Sequence, residues 1–283
     1  MMLFSQSAAT AASAAKPAST TPAVESAFPN IAISSGYMNN CGFHSIIHLW
    51  MALPDEMFSY LYNNFPVFKE IHREFCNQYG GEVSLEKLLQ FKKLPLLDNP
   101  WDRELIWGGV FREVLKTIAA LEVVRISELP PMEDADIESV QYRFGPKELE
   151  FLETAECVDF RMLKLLTEKM GLDLTVYNQV ASHAEFELPI YHFAPERETC
   201  WQAELFFNGG HYDFTHQDKA LNKAHNDKRA VQHSCLLMSA PRVAKEGQAL
   251  TPEFIRNVVV DIVRAVNQKL TAPEQKSTLK PNF

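Results

Sequence analysis

"WQAELFFNGGHYDF", residues 201–214, is the stretch on which the fold class turns. Its aromatic and other β-type residues flank an Asn-Gly-Gly turn signal, a pattern of extended chain rather than helix. Gly209-Gly210 let the backbone turn tightly just before His211, because glycine carries no Cβ to oppose it. If residues 211–214 are extended, successive side chains alternate in direction. His211 and Asp213 then point to one side, and Tyr212 and Phe214 to the other. A carboxylate two residues along a strand can hold the imidazole N–H, fix its tautomer and stabilise its charged form. A solvated aspartate on a strand leaving a turn fits the same spacing.

Moving outward, "LDLTVYN" (172–178) and "FELPIYHF" (186–193) are two further strand-like runs with turn signals between them. "DFRMLKLLTEKMG" (159–171) has the apolar spacing of an amphipathic helix that stops on glycine. Residues 55–130 read as almost wholly helical. "FSYLYNNFPVFKEIHREFCNQYGG" runs to a Gly-Gly stop, "SLEKLLQFKKL" opens on a serine cap, and "WDRELIWGGVFREVLKTIAALEVV" keeps apolar residues at helical spacing. The acidic, proline-containing "SELPPMEDADIES" is the best candidate for a boundary. Residues 252–270 predict one more helix, with Ile255, Val258, Val259, Ile262, Val263 and Val266 on one face, and the last dozen residues a polar tail. Helices plus a few strands predict an α+β class, a small sheet flanked by helices.

The 283 residues suffice for one large domain or two small ones. A net charge of −9 argues against a nucleic-acid backbone as principal ligand, which would call for a basic surface. Five cysteines, with no CxxC pair, read as free thiols of a reducing compartment. No run approaches the roughly 20 apolar residues of a membrane span. Residues 1–28, rich in Ala, Ser, Thr and Pro, predict a disordered tail and make a poor Sec signal, which leaves export by other machinery open.

"GYMNNCGFHSIIHLW" (36–50) raises a separate question, since its thiol stands where a polar turn gives way to an apolar helical pattern. Phe43, Ile46, Ile47 and Trp50 mark one buried helix face, and Asn39 and Asn40 are suited to cap it. A helix N-terminus favours a thiolate and offers backbone N–H groups to a developing oxyanion. Cys41 read alone is either a nucleophile or a helix-end cysteine with no role. Cys76, Cys157, Cys200 and Cys235 read as packing residues in apolar surroundings. His44 and His48 have the i, i+4 spacing of a metal pair, but Ser45 stands where a zinc protease needs glutamate, so a solvated or core-edge helix face is the better reading. The remaining histidines show no ligand spacing, and no phosphate-binding glycine loop occurs.

Taken together, "MNNCGFHS" and "GGHYDF" resemble the two signature segments of the ovarian-tumour (OTU) family of cysteine deubiquitinases. The helix "FRMLKLLTEKMG" and the strands "LDLTVYN" and "AELFFNG" resemble what precedes that family's histidine. The resemblance covers residues 36–53 and about 157–216. Met38 stands where the family usually has aspartate, and Gly42 where a bulky apolar residue is common. The resemblance implies an OTU-type domain over 29–250, with 54–155 as a helical insertion lobe like that of some bacterial effector members, then a terminal helix and tail over 251–283.

It also implies a thiol-dependent ubiquitinyl hydrolase in which Cys41 attacks, His211 is the base and Asp213 orients it. Met38, Asn39 and Asn40 would form the oxyanion loop. Ubiquitin and polyubiquitin chains would be the partners, with no cofactor, no metal and no nucleic acid. The setting would be host cytosol for an exported effector and the cytoplasm otherwise. The alternatives are a catalytically silent ubiquitin-binding protein or another Cys-His hydrolase, such as a cell-wall peptidase or a transglutaminase-like enzyme.

Overall fold

The computed structural model describes residues 31–127, 146–153, 157–179, 190–195 and 199–231, with helical positions between 253 and 264. The predicted tail of 1–28, the acidic connector beyond Ser127, and Cys235 lie outside the described residues. Among the described residues, seven helices precede the sheet: α1 (Cys41–Ala52), α2 (Asp55–Asn64), α3 (Pro66–Tyr79), α4 (Leu85–Lys92), α5 (Pro100–Ser127), α6 (Pro146–Glu153) and α7 (Phe160–Met170). Strands β1 (Leu172–Asn178), β2 (Ile190–Phe193), β3 (Trp201–Phe207) and β4 (Tyr212–Thr215) follow, then α8 (Lys219–Val231). The class is α+β.

The sheet order is β2-β1-β3-β4, with β1 parallel to β3 and both outer pairs antiparallel. "WQAELFFNGGHYDF" becomes the β3–β4 hairpin, in which Leu205 faces Phe214 and Phe207 faces Tyr212. Gly209 takes φ 95° at the turn, a value that glycine adopts without strain. Leu172, Leu174 and Val176 of β1 alternate with half-buried neighbours, as a strand with one covered face requires. Residues 31–34 extend the sheet edge: Ala32 pairs with Phe214 through backbone bonds of 2.7 and 3.1 Å.

Local chemistry accounts for the helix limits. Asp159 caps α7 by accepting from Met162 N–H at 2.9 Å, and Ser84 accepts from Lys87 N–H at the start of α4. Gly171 ends α7 at φ 61°, and a Cβ there would stand 2.4 Å from the Phe65 ring, so both conformation and space exclude other residues. Phe65-Pro66 divides what the sequence reads as one helix into α2 and α3, because proline accepts the N1 position but not an interior one.

The helices of the 54–155 block share one hydrophobic core with the sheet. Trp50 of α1 lies at its centre, stacked on Phe58 at 4.8 Å and edge-on to Trp107 of α5 at 5.8 Å. Trp107 stacks in turn on Phe75 of α3 at 4.6 Å. Each such ring contributes about 1.5–3 kcal/mol by burial alone, so the cysteine helix and α5 are held as one body. Among the described residues, no helix is long and apolar enough to cross a membrane. In the terminal helix, Val259 and Val263 of the predicted apolar face are buried.

Candidate active site

Cys41 is the first residue of α1, where the N–H groups of the first turn have no partner within the helix. Asn40 holds the N-cap position, but its side chain makes no capping bond. Its Oδ1 instead accepts from Arg112 Nε at 2.8 Å. The amide that was expected to cap the helix is therefore turned away from it. Gly42 lets this turn lie flat on its neighbours: a Cβ there would sit 3.3 Å from Leu163, 3.4 Å from Tyr212 and 3.6 Å from Val158. A bulky residue at 42 has no room in this packing.

Tyr212 brings the histidine to the same place. Its backbone oxygen accepts from Ser34 Oγ at 2.6 Å and Ser45 Oγ at 3.3 Å, which pins the start of β4 to α1 and to the edge segment. His211, one residue earlier, pairs with Asp213 through Nε2 at 3.2 Å, and Cys41 lies close enough to the ring to help raise its pKa. With Nε2 committed to the carboxylate, Nδ1 is the nitrogen left for the sulfur. Asp213 Oδ1 also accepts from Ser34 N–H at 3.1 Å, and Ser34 Oγ lies 3.4 Å from His211 Nε2. Ser34 has only one hydroxyl proton, and the short bond to Tyr212 O takes it, so its oxygen is an acceptor for the ring.

These contacts set the imidazole's charge. Burial pulls its pKa down, but the bonds to Asp213 and Cys41 and their negative charges outweigh burial and raise it to about 10. The ring therefore keeps its proton across neutral pH. The structure brings the sequence-predicted Cys41, His211 and Asp213 together.

The turn ahead of Cys41 is a 3-10 turn over Tyr37–Asn39. Asn39 N–H donates to Gly36 O at 3.0 Å and Asn40 N–H to Tyr37 O at 3.2 Å. These two N–H groups close the turn and are not offered to a substrate, unlike the Cys41 N–H at the head of the helix. Asn39 lies at φ 56°, a left-handed value that asparagine tolerates better than most residues. The Met38 side chain lies outside the described residues.

Behind the loop sits a second, buried polar cluster that the sequence did not disclose. Glu104 of α5 accepts from His48 Nε2 at 2.7 Å and Ser35 N–H at 3.2 Å, and from Arg229 of α8. His44 Nδ1–H donates to Ser35 O at 2.8 Å. His225 and Asn226 of α8 bind the backbone of Ile31 and Ile33 at 2.8–2.9 Å. The segment 31–35, which presents Ser34 to His211 and Asp213, is thus fixed on three sides. His44 and His48 are fully buried in this cluster rather than on a solvated face, and among the described residues no His, Cys, Asp or Glu group has the arrangement of a metal site.

The other cysteines divide. Burial raises the Cys76 thiol to about 11, whereas Cys157 is exposed, contrary to the packing role expected of it. Cys157 follows α6 and immediately precedes Val158, whose side chain meets Gly42, so apolar neighbours in sequence did not translate into burial. Ser34, Glu104 and Arg112 escaped the sequence reading. The first has no local signature. The other two lie eight residues apart on one face of an apolar helix with Gly108 midway, which is a usable sign of buried charge beside a close contact. Compared with known proteins, the chain matches no family model and no curated sequence.

Proposed function

We propose that the chain is a cysteine hydrolase of OTU type, cleaving the isopeptide or peptide bond after the C-terminal glycine of ubiquitin. The observation that carries the hydrolase reading is His211 held between Cys41 and Asp213, its Nε2 taken by the carboxylate at 3.2 Å. The ubiquitin part rests on the resemblance of "MNNCGFHS" and "GGHYDF" to that family.

In this reading His211 already holds the proton taken from the Cys41 thiol, and Cys41 Sγ attacks the glycine carbonyl carbon. The carbonyl oxygen becomes an oxyanion at the head of α1, where the Cys41 N–H and the helix dipole stabilise it. Collapse breaks the C–N bond, and the amine leaves with the proton carried by His211. Water, deprotonated by His211, then cleaves the thioester and frees the glycine carboxylate and the thiol. Asp213 keeps the ring oriented throughout. No cofactor enters the scheme.

The test is a ubiquitin carrying a C-terminal electrophile. One covalent adduct is expected, mapping to Cys41 and lost in Cys41→Ala and His211→Ala. Binding without adduct would favour the silent ubiquitin-binding protein. Neither binding nor adduct, with Cys41 still reactive toward small esters, would leave a Cys-His hydrolase of another substrate class.

A further inference from the structure

We infer that Arg112 is a positioning residue for the oxyanion site, setting the angle at which the chain enters Cys41. This rests on the hydrolase reading above but not on ubiquitin as substrate. Arg112 is 5% exposed on α5, a helix that contributes no atom to the Cys41–His211–Asp213 triad. Its guanidinium nevertheless serves the loop at two points, donating from Nε to Asn40 Oδ1 at 2.8 Å and from Nη2 to Asn39 O at 3.4 Å. Nη1 donates to Leu152 O of α6 at 3.3 Å, and the guanidinium lies over the Phe43 ring at 5.7 Å.

The geometry explains why this matters for chemistry. Asn39 O belongs to the peptide between Asn39 and Asn40, whose plane sets the direction in which the chain enters α1. Asn39 is left-handed, so the peptide sits away from the commonest backbone conformation and depends on outside contacts to stay there. Arg112 supplies one on the backbone and one on the next side chain. The other side of Asn40 is closed by α5 itself, since a Cβ on Gly108 would stand 3.3 Å from Asn40 Nδ2. Releasing the guanidinium frees the Asn39–Asn40 unit to shift, and with it the Asn40–Cys41 peptide, whose carbonyl accepts from His44 N–H at 2.8 Å and whose N–H heads the helix. His211 is held by Asp213 and Ser34 on the opposite side and does not depend on Arg112.

That separation makes the inference testable by comparing two reactions of one thiol. Alkylation of Cys41 by iodoacetamide passes through no oxyanion, whereas acylation by p-nitrophenyl acetate does. Both rates are measured on the full chain in a Cys157→Ser background, with the modified residue located by peptide mapping. Arg112→Ala is expected to leave alkylation within about twofold and to slow acylation tenfold or more, toward the 10²–10³-fold scale of a lost oxyanion donor. Arg112→Lys, which keeps charge but cannot serve Asn40 and Asn39 together, should show a smaller drop in the same ratio. Asn40→Ala should lower the ratio too, and the double variant Asn40→Ala/Arg112→Ala should fall little further than either single one.

An unchanged ratio in Arg112→Lys and Asn40→Ala overturns the inference. So does an equal loss of both reactions accompanied by a lower thermal midpoint, which would make Arg112 merely structural. A wild-type chain whose Cys41 shows no acylation beyond that of a free thiol overturns it as well. If acylation depends on Arg112 while ubiquitin substrates are not cleaved, the inference stands and the proposed substrate fails.

Discussion

Two of the histidine–carboxylate pairs among the described residues, His211–Asp213 and His48–Glu104, lie against the cysteine helix and behave in opposite ways. His211–Asp213 lies at the sheet edge, with side chains 26% and 20% exposed and 3.2 Å between them. His48–Glu104 lies between α1, α5 and α8, essentially unexposed, with a shorter contact of 2.7 Å. The longer pair raises its histidine's pKa and the shorter one accompanies a histidine pushed well below the ordinary value.

Desolvation decides the difference. Burial dominates at His48, and the charges of His225 and Arg103 add to it against the attraction of Glu104. Arg103 Nη1 points at His48 Nδ1 at 3.5 Å, which suits a neutral ring accepting at that nitrogen. Burial also opposes ionisation of Glu104, but the His48 hydrogen bond and the Arg229 guanidinium outweigh it and hold its carboxyl well below the usual range. A short histidine–carboxylate contact therefore does not by itself mark a base. Partial exposure and a second partner, here Cys41, separate the pair of the candidate site from the structural one.

Removing each carboxylate should break the comparison most sharply. Asp213→Ala is expected to slow turnover by up to about 10⁴-fold, less completely than His211→Ala, while leaving the urea midpoint near wild type. Glu104→Ala should do the reverse, costing about 3–5 kcal/mol of stability by leaving the Arg229 guanidinium uncompensated and the His48 Nε2–H without its acceptor. Paired reporter kinetics and urea unfolding read both quantities. Loss of stability in Asp213→Ala without loss of rate would mean that the two pairs have exchanged roles.

The pH dependence of stability sharpens the same contrast. His72 and His216 are pushed down to about 4 and His225 to about 3, in each case chiefly by burial. The unfolded chain binds protons at these positions below about pH 6.5 while the folded chain does not. Stability should thus be complete above pH 6.5 and fall by a few kcal/mol toward pH 4. His211 has the opposite sign: its contribution is full below about pH 6.5 and lost as pH rises through about 10. Thermal unfolding against pH should show both limbs, and His211→Ala should remove only the alkaline one.

The smallest effect is expected at Gly108, where α5 crosses the cysteine helix. An added Cβ would stand 2.5 Å from His44 Nε2, closer than packed atoms approach. Gly108→Ala should cost about 1–3 kcal/mol by overpacking, whereas Gly109→Ala, with nothing within 4 Å of the added atom, should be neutral or slightly stabilising. Urea titration of the two neighbours tests whether the close crossing is as tight as it stands.

Much of this architecture was legible along the chain, because its causes are local. The alternation in "LDLTVYN", the Asp159 cap and Gly171 stop of α7, and the start of α1 at Cys41 follow from spacing and turn chemistry within a few residues. The i, i+2 placement of His211 and Asp213 is of the same kind, since a strand fixes it without distant help. The class of the fold and the three residues at the centre of the candidate site could be named on that basis.

What the sequence could not settle depends on residues brought together from far apart. Asn40 reads as a cap, and only the arrival of Arg112, on a helix beginning sixty residues later, turns its side chain away from that role. His44 and His48 read as a core-edge or solvated face until Glu104 and Arg229 close over them. Cys157 reads as buried, and tertiary packing leaves it exposed. Local periodicity dictates which residues form helices and strands, but the charge state and job of each polar group depend on what desolvates it and what partners it. Those are properties of the assembled core, decided by contacts between α1, α5, α8 and the edge of β4.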